Sequence, residues 1–140
     1  MTYADSSFIV SVYVQDSHSA AAQELMNSNP RLWFSPLHLA ETFHAIARQV
    51  FYRRISAAAA QDIYRQLESD RIGRVWAETQ LPENAFELCA ALARRYGPKL
   101  GIRTLDSLHV ACALELKAER FWTFDERQAK LAKAAGLKTS

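Results

Sequence analysis

Short apolar segments alternate with longer stretches of helical periodicity along almost the whole chain, and this alternation constrains the fold more than any other feature. The apolar segments predict strands at residues 2–5, 31–34, 73–76, 120–124 and 137–140. Between them, the spacing of apolar residues predicts helices at residues 6–13, 18–27, 36–54, 56–68, 82–96, 104–116 and 128–135. Strands that alternate with helices are typical of an α/β fold with a parallel sheet, and not of a helix bundle or a β-sandwich.

The composition predicts one folded domain spanning residues 1–140. Of the 140 residues, 49% are apolar, and only 4 are Gly and 4 are Pro. Disordered chains have far fewer large apolar residues, and collagen-like chains have far more Gly and Pro, so both classes are excluded. A chain of this length buries roughly two thirds of its unfolded surface, which is enough for a core without disulfides.

The cysteine pattern and the hydropathy indicate in which cellular compartment we expect the protein. Cys89 and Cys112 lie in helical segments, and the chain has no Cys-x-x-Cys pair. A reduced, cytoplasmic compartment is the simplest interpretation. No export signal is visible, and the longest apolar run is far shorter than the roughly 20 residues of a membrane span. We therefore expect a soluble cytoplasmic protein with no membrane partner.

Four carboxylates lie where an ordinary solvent-exposed role does not explain them. Asp5 and Asp125 each end a predicted strand, and ligands of open α/β sheets bind at the carboxyl ends of strands. Glu41 and Asp106 lie in the first turns of predicted helices, near the same edge of the sheet. We therefore expect these four side chains to meet there, although they are far apart in sequence.

Such a cluster of carboxylates is repulsive unless the pKa values of its members rise or a cation binds. Because the donors are oxygen atoms, with no accompanying Cys or His cluster, Mg²⁺ or Mn²⁺ is favoured over Zn²⁺. Each acid taken singly also has a structural interpretation, since acids stabilise the first turn of a helix and Asp often caps one. The metal hypothesis depends on all four positions together.

Four short motifs carry a resemblance to a known family. They are Tyr-Ala-Asp-Ser-Ser at residues 3–7, Leu-Ala-Glu at 39–41, Gly-Ile-Arg-Thr-Leu-Asp-Ser-Leu-His-Val-Ala at 101–111 and Phe-Trp-Thr-Phe-Asp at 121–125. In this order they resemble the four acidic motifs of the PIN domain, and more narrowly those of the VapC-like toxin ribonucleases of bacterial toxin–antitoxin pairs. The third motif is the most distinctive, and the match covers essentially the whole chain.

The resemblance implies a three-layer α/β/α sandwich around a parallel sheet and a metal-dependent endoribonuclease that hydrolyses RNA phosphodiester bonds. It assigns Mg²⁺ or Mn²⁺ to the four acids, which would be both catalytic and metal-binding: Asp5, Glu41, Asp106 and Asp125. Ser7 and Thr123 match hydroxyl positions that support such a pocket. A toxin of this kind blocks translation, and the implied partners are its RNA substrate, a cognate antitoxin protein and a second copy in a homodimer.

Basic residues should border an acidic pocket that binds a polyanion. Arg48 follows Glu41 on the same predicted helix, and Arg103 precedes Asp106. Both are candidates for phosphate contacts. For each, a solvated helix end is the alternative interpretation. A net charge of +2 does not by itself identify a nucleic-acid binder.

Three alternatives stay open at this point. A PIN ribonuclease of RNA processing or decay would have the same motifs as a toxin. A PIN-like module that binds RNA or protein without cleavage would be favoured by the loss of an acid, but all four are present. A haloacid-dehalogenase-like phosphatase would need a second Asp two residues after Asp5, where this chain has Ser7.

Overall fold

The computed structural model describes residues 1–139, and the predicted final strand therefore includes one residue, Ser140, outside the described chain. The strands are β1 (Thr2–Ala4), β2 (Leu32–Phe34), β3 (Trp76–Glu78), β4 (Arg120–Trp122) and β5 (Lys138–Thr139). The helices are α1 (Ser6–Tyr13), α2 (Ser19–Met26), α3 (Pro36–Phe51), α4 (Ala57–Ile72), α5 (Ala85–Leu100), α6 (Thr104–Glu115) and α7 (Glu126–Ala134). Every helix within residues 1–139 falls short of the length and hydrophobicity of a membrane span.

The strands form one parallel sheet in the order β3-β2-β1-β4-β5. Strand β4 pairs in parallel with β1 and with β5, and β2 pairs in parallel with β3. In this register Ala4 lies opposite Trp122, and Phe34 lies opposite Glu78. Together with the helices, the sheet confirms the predicted α/β/α sandwich.

Contacts divide the chain into two compact units. The first unit contains Met1–Asp5 and the described residues from Gln80 onward, and therefore holds β1, β4, β5 and helices α5 to α7. Its core includes a stacked pair of rings, since Tyr3 and Phe121 lie 5.8 Å apart with an interplanar angle of 7°. The Tyr3 hydroxyl also lies 2.9 Å from His109 Nδ1, so the buried imidazole has a hydrogen-bond partner.

The second unit is Ser6–Thr79, with helices α1 to α4 and strands β2 and β3. A partly buried polar bridge in it joins α1, α4 and β3. The Tyr13 hydroxyl donates to Asp70 Oδ2 at 2.6 Å and accepts from Trp76 Nε1 at 2.9 Å. Burial and the hydrogen bond to Asp70 raise the pKa of Tyr13 above its usual range, so the hydroxyl stays a donor at physiological pH.

Helix caps explain where α3, α4 and α7 begin. Ser56 accepts a hydrogen bond from the Ala59 N–H at 3.0 Å at the start of α4. Helix α3 begins as the sequence predicts, with Ser35 before it and Pro36 in its first turn. Helix α7 begins two residues earlier than predicted because Asp125 is its N-cap.

The end of α5 and the start of β3 also differ from the prediction. Helix α5 continues past Gly97 and Pro98 and stops at Leu100, because a proline in the last turn removes only one hydrogen bond there. Gly101, with φ 58°, is the residue that ends this helix in the left-handed conformation. Strand β3 begins at Trp76, where the prediction ended, because α4 extends to Ile72 and Arg74 adopts a φ of 59°.

The Tyr13 bridge gives a stability prediction. Tyr13→Phe removes the hydroxyl and leaves the Trp76 indole N–H and the Asp70 carboxylate without this partner. We expect the free energy of unfolding, measured by urea denaturation, to fall by about 1–3 kcal/mol. The control is Tyr96→Phe, which removes an exposed hydrogen bond to the Ala134 carbonyl and should cost at most about 1 kcal/mol. Equal losses in the two variants would contradict the importance of the bridge.

Candidate active site

Asp5 follows β1 directly and is almost fully buried, with 5% of its surface exposed. Its N–H donates to the Trp122 carbonyl at 3.0 Å, which continues the β1–β4 ladder by one bond. Its carboxylate oxygen Oδ2 lies 3.1 Å from the Thr123 hydroxyl. A buried carboxylate needs such donors, since a charge without them is costly to remove from water.

Thr123 is the point at which several of these groups meet. Its hydroxyl accepts a hydrogen bond from the Asp125 N–H at 3.0 Å. It lies 2.7 Å from Gln128 Oε1 as well as 3.1 Å from Asp5 Oδ2. A hydroxyl has one hydrogen to donate, so the two oxygens share it as alternative acceptors.

Gln128 is a member of the site that the sequence did not predict. It is 1% exposed, and its N–H donates to Asp125 Oδ1 at 2.8 Å as part of the cap of α7. Its side-chain Nε2 donates to the Asp106 carbonyl at 3.2 Å, which fixes the amide with Oε1 toward Thr123. An Asp-x-x-Gln spacing at a helix start is a recognisable capping signal. The sequence does not indicate that the Gln128 side chain points inward, because a glutamine at this capping position ordinarily turns back to the N-cap residue.

Asp106 lies in the first turn of α6, and its carboxylate pairs with Arg103. The guanidinium reaches it through two contacts, Nε to Oδ2 at 2.7 Å and Nη2 to Oδ1 at 3.3 Å. The Arg103 side chain is 76% exposed and that of Asp106 is 21% exposed. Exposed pairs of this kind contribute only about 0–1 kcal/mol, so either partner can change to another ligand at low cost.

The second unit contains the remaining predicted acid, Glu41, which is half-buried on α3. The Ser6 hydroxyl donates to Glu41 Oε2 at 2.7 Å, so a residue that the sequence analysis had not selected orients this carboxylate. Ser7 is exposed, and its supporting role stays a prediction. Arg48 is also exposed on α3, and its phosphate contact stays a prediction as well.

Within the first unit, Thr123 and Gln128 therefore connect the Asp5 carboxylate, the backbone N–H and carboxylate of Asp125 and the backbone carbonyl of Asp106. Within residues 1–139, no three His, Cys, Asp or Glu side chains are arranged to hold a metal ion by themselves. The oxygen donors nevertheless fit Mg²⁺, which keeps several waters and binds proteins through one or two carboxylates.

Comparisons with known proteins agree with this fold. The family model of the PIN domain matches residues 2–134. VapC20 of Mycobacterium tuberculosis, a toxin that cleaves the sarcin–ricin loop, superposes with a TM-score of 0.72 at 19% identity and covers 98% of this chain and 96% of its own. No protein of curated function matches the sequence.

Two further solved structures have a similar fold. FitAcB from Neisseria gonorrhoeae has a TM-score of 0.73 at 16% identity and covers 99% of this chain and 96% of its own. VapBC2 from Rickettsia felis, bound to a DNA fragment from its promoter, has a TM-score of 0.69 at 16% identity, with 100% of this chain and 98% of its own covered. At these identities the likeness establishes the fold alone.

The hydroxyl of Thr123 can be tested directly. Thr123→Val keeps the shape but removes a donor for buried Asp5 and the acceptor of the Asp125 N–H. We expect the free energy of unfolding to fall by about 1–3 kcal/mol. Thr123→Ser keeps the hydroxyl and loses one methyl group, so it should cost about 1 kcal/mol or less. A valine variant as stable as the serine variant would show that the hydroxyl does not hold these groups together.

Proposed function

The chain belongs to the PIN domain family, and from this premise we propose that it is a metal-dependent endoribonuclease that hydrolyses RNA phosphodiester bonds. We propose further that it is the toxin of a toxin–antitoxin pair and blocks translation by cleaving RNA. The observation that carries this proposal is the Thr123 hydroxyl at the carboxyl ends of β1 and β4, which lies 3.1 Å from Oδ2 of Asp5 and accepts the backbone N–H of Asp125. Carboxylates placed this way, one of them buried, favour a cation as their counter-charge.

Asp5 and Asp125 would hold a Mg²⁺ or Mn²⁺ ion, and Asp106 would join them by releasing Arg103. When bound, such an ion lowers the pKa of a coordinated water and neutralises charge on a phosphoryl oxygen. The released Arg103 guanidinium is then available to an RNA phosphate, which matches its predicted role in substrate binding. Arg103 already contacts the Asp106 carboxylate, so the same side chain would serve first that carboxylate and then the phosphate.

The other residues of the chain would position these groups. Thr123 and Gln128 hold Asp5 and Asp125 in fixed orientations, so the carboxylates are preorganised before substrate binds. Glu41 enters the proposal through its motif, either as a ligand or as a general base that orients the attacking water. The Ser6 hydroxyl occupies Oε2 of Glu41 and limits the rotation of that carboxylate.

The toxin proposal has consequences for partners. It places the protein in the cytoplasm, with its RNA substrate, and it requires an antitoxin that keeps the ribonuclease inactive during growth. We also propose a homodimer as the functional assembly. The structural likeness to a protein from Rickettsia felis that is bound to promoter DNA is consistent with a regulated toxin.

Removal of one carboxylate tests the enzymatic part of the proposal. Asp5→Asn and Asp125→Asn keep the shape of the side chain and remove the charge that attracts the ion. We expect each to lower the rate of cleavage of total RNA in Mg²⁺ or Mn²⁺ by at least about 100-fold, since loss of even a supporting group at a metal site costs 10- to 100-fold. EDTA should abolish wild-type cleavage.

Glu126→Gln is the matched control, because Glu126 is exposed and adjacent to Asp125 in the first turn of α7. It should cleave RNA like the wild type. Full activity in both the Asp5 and Asp125 variants, with melting curves showing folded protein, would contradict the assignment of the site.

Expression in a bacterial host tests the toxin part of the proposal. Wild type and Glu126→Gln should arrest growth when expressed alone, and Asp5→Asn should not, because arrest requires cleavage. Coexpression with the protein encoded beside this gene should restore growth. If the wild type cleaves RNA in vitro but is no more harmful than Asp5→Asn at equal expression, the protein is a ribonuclease but not a toxin.

A further inference from the structure

Two aromatic rings are exposed at the C-terminal end of α3. Phe51 is 78% exposed and Tyr52 is 54% exposed. Their ring centroids lie 5.2 Å apart at an interplanar angle of 76°, so the rings present faces in two directions. Single exposed apolar residues are ordinary on protein surfaces, but a contacting pair of exposed rings is a concentrated apolar feature.

The surroundings of these rings are basic. From residue 42 to residue 61 the sequence contains three arginines, Arg48, Arg53 and Arg54, and no Asp or Glu. None of the three forms a salt bridge within residues 1–139. The Arg54 guanidinium carbon lies 5.5 Å from the Tyr52 ring centroid, which is a cation–π distance.

The geometry of α3 aligns this surface with Glu41. Arg48 is seven residues after Glu41 and Tyr52 is eleven after it, so a rotation of about 100° per residue brings all three within about 20° of one line along the helix. At about 1.5 Å per residue, Arg48 lies about 10 Å and Tyr52 about 16 Å from Glu41 along the axis. Glu41, Arg48 and Tyr52 therefore follow one another along one face of α3.

We propose that Phe51 and Tyr52 form a stacking platform for unpaired bases of a single-stranded RNA, whose phosphates contact Arg48, Arg53 and Arg54. The inference rests on the proposed ribonuclease function and adds to it the side chains that bind the bases and phosphates of the substrate. Unpaired bases stack on exposed aromatic rings and arginine planes, while cationic side chains bind the backbone. The unbalanced positive charge of this surface is what selects a polyanion over an apolar protein segment.

The test measures binding of a fluorescent single-stranded RNA to the whole protein in EDTA, where cleavage does not interfere. Phe51→Ala and Tyr52→Ala should each weaken binding by at least about fivefold, from the 1–3 kcal/mol that a stacked base contributes. Tyr52→Phe, which keeps the ring, should bind like the wild type. Arg54→Gln should reduce the slope of log affinity against log salt by about 0.7.

Two controls separate stacking from other effects. Phe86→Ala removes an exposed ring of α5, 62% exposed and flanked by Glu83 and Glu87, and should not change RNA binding. An abasic oligonucleotide of the same length keeps the phosphates and removes the bases, so wild type, Phe51→Ala and Tyr52→Ala should bind it equally.

The outcomes are distinguishable. If wild type cleaves RNA in Mn²⁺ but both alanine variants bind RNA normally, the stacking inference fails and the ribonuclease proposal survives. If the alanine variants lose affinity equally for the abasic strand, the rings do not act by stacking. If they change the sedimentation mass and leave RNA affinity intact, the surface is a protein interface and the inference is wrong. If wild type neither binds nor cleaves RNA, both proposals fail.

Discussion

One buried hydroxyl, that of Thr123, connects two of the acidic residues, Asp5 and Asp125. It lies within hydrogen-bond distance of Asp5 and Gln128 and accepts the Asp125 N–H. Because Asp5 is 5% exposed, it cannot rely on water for its hydrogen bonds, and the protein must supply the donors. The requirement to satisfy this carboxylate therefore links β1 to the turn after β4 and, through Gln128, to α6.

The electrostatic organisation of the chain follows from the same requirement. Asp5 is buried and Asp125 is half-buried, and carboxylates held in such positions are stabilised by a nearby counter-charge. For Asp106 the exposed Arg103 already provides one, and its low cost of exchange suits a site that alternates between a protein cation and an external ligand. In the second unit, α3 and the turn after it have three arginines and no acid from residue 42 to residue 61, which makes this stretch positively charged.

Local sequence rules predicted the positions of the acids but not the contacts that orient them. Asp5 was recognisable because it follows an apolar strand, and Asp125 because strand ends and helix caps share a simple signal. Gln128 was not recognisable from the sequence, because its role depends on contacts with Thr123 and with the Asp106 carbonyl, which is 22 residues away in sequence. The Ser6 contact to Glu41 spans 35 residues, and nothing in the local pattern separates Ser6 from Ser7. Helix α5 passed through a Gly-Pro pair because Pro98 lies in its last turn, and it ended where Gly101 adopts the left-handed conformation.

We propose that the carboxylates held by Thr123 and Gln128 bind a divalent ion that takes part in RNA cleavage. The most direct measurement is a crystal structure of the wild type soaked in Mn²⁺, with anomalous diffraction data to locate the ion. The account predicts an anomalous peak in contact with carboxylate oxygens of Asp5 and Asp125, and its loss in crystals of Asp125→Asn. A Mn²⁺ peak elsewhere, or none at a concentration at which the protein cleaves RNA, would contradict the account.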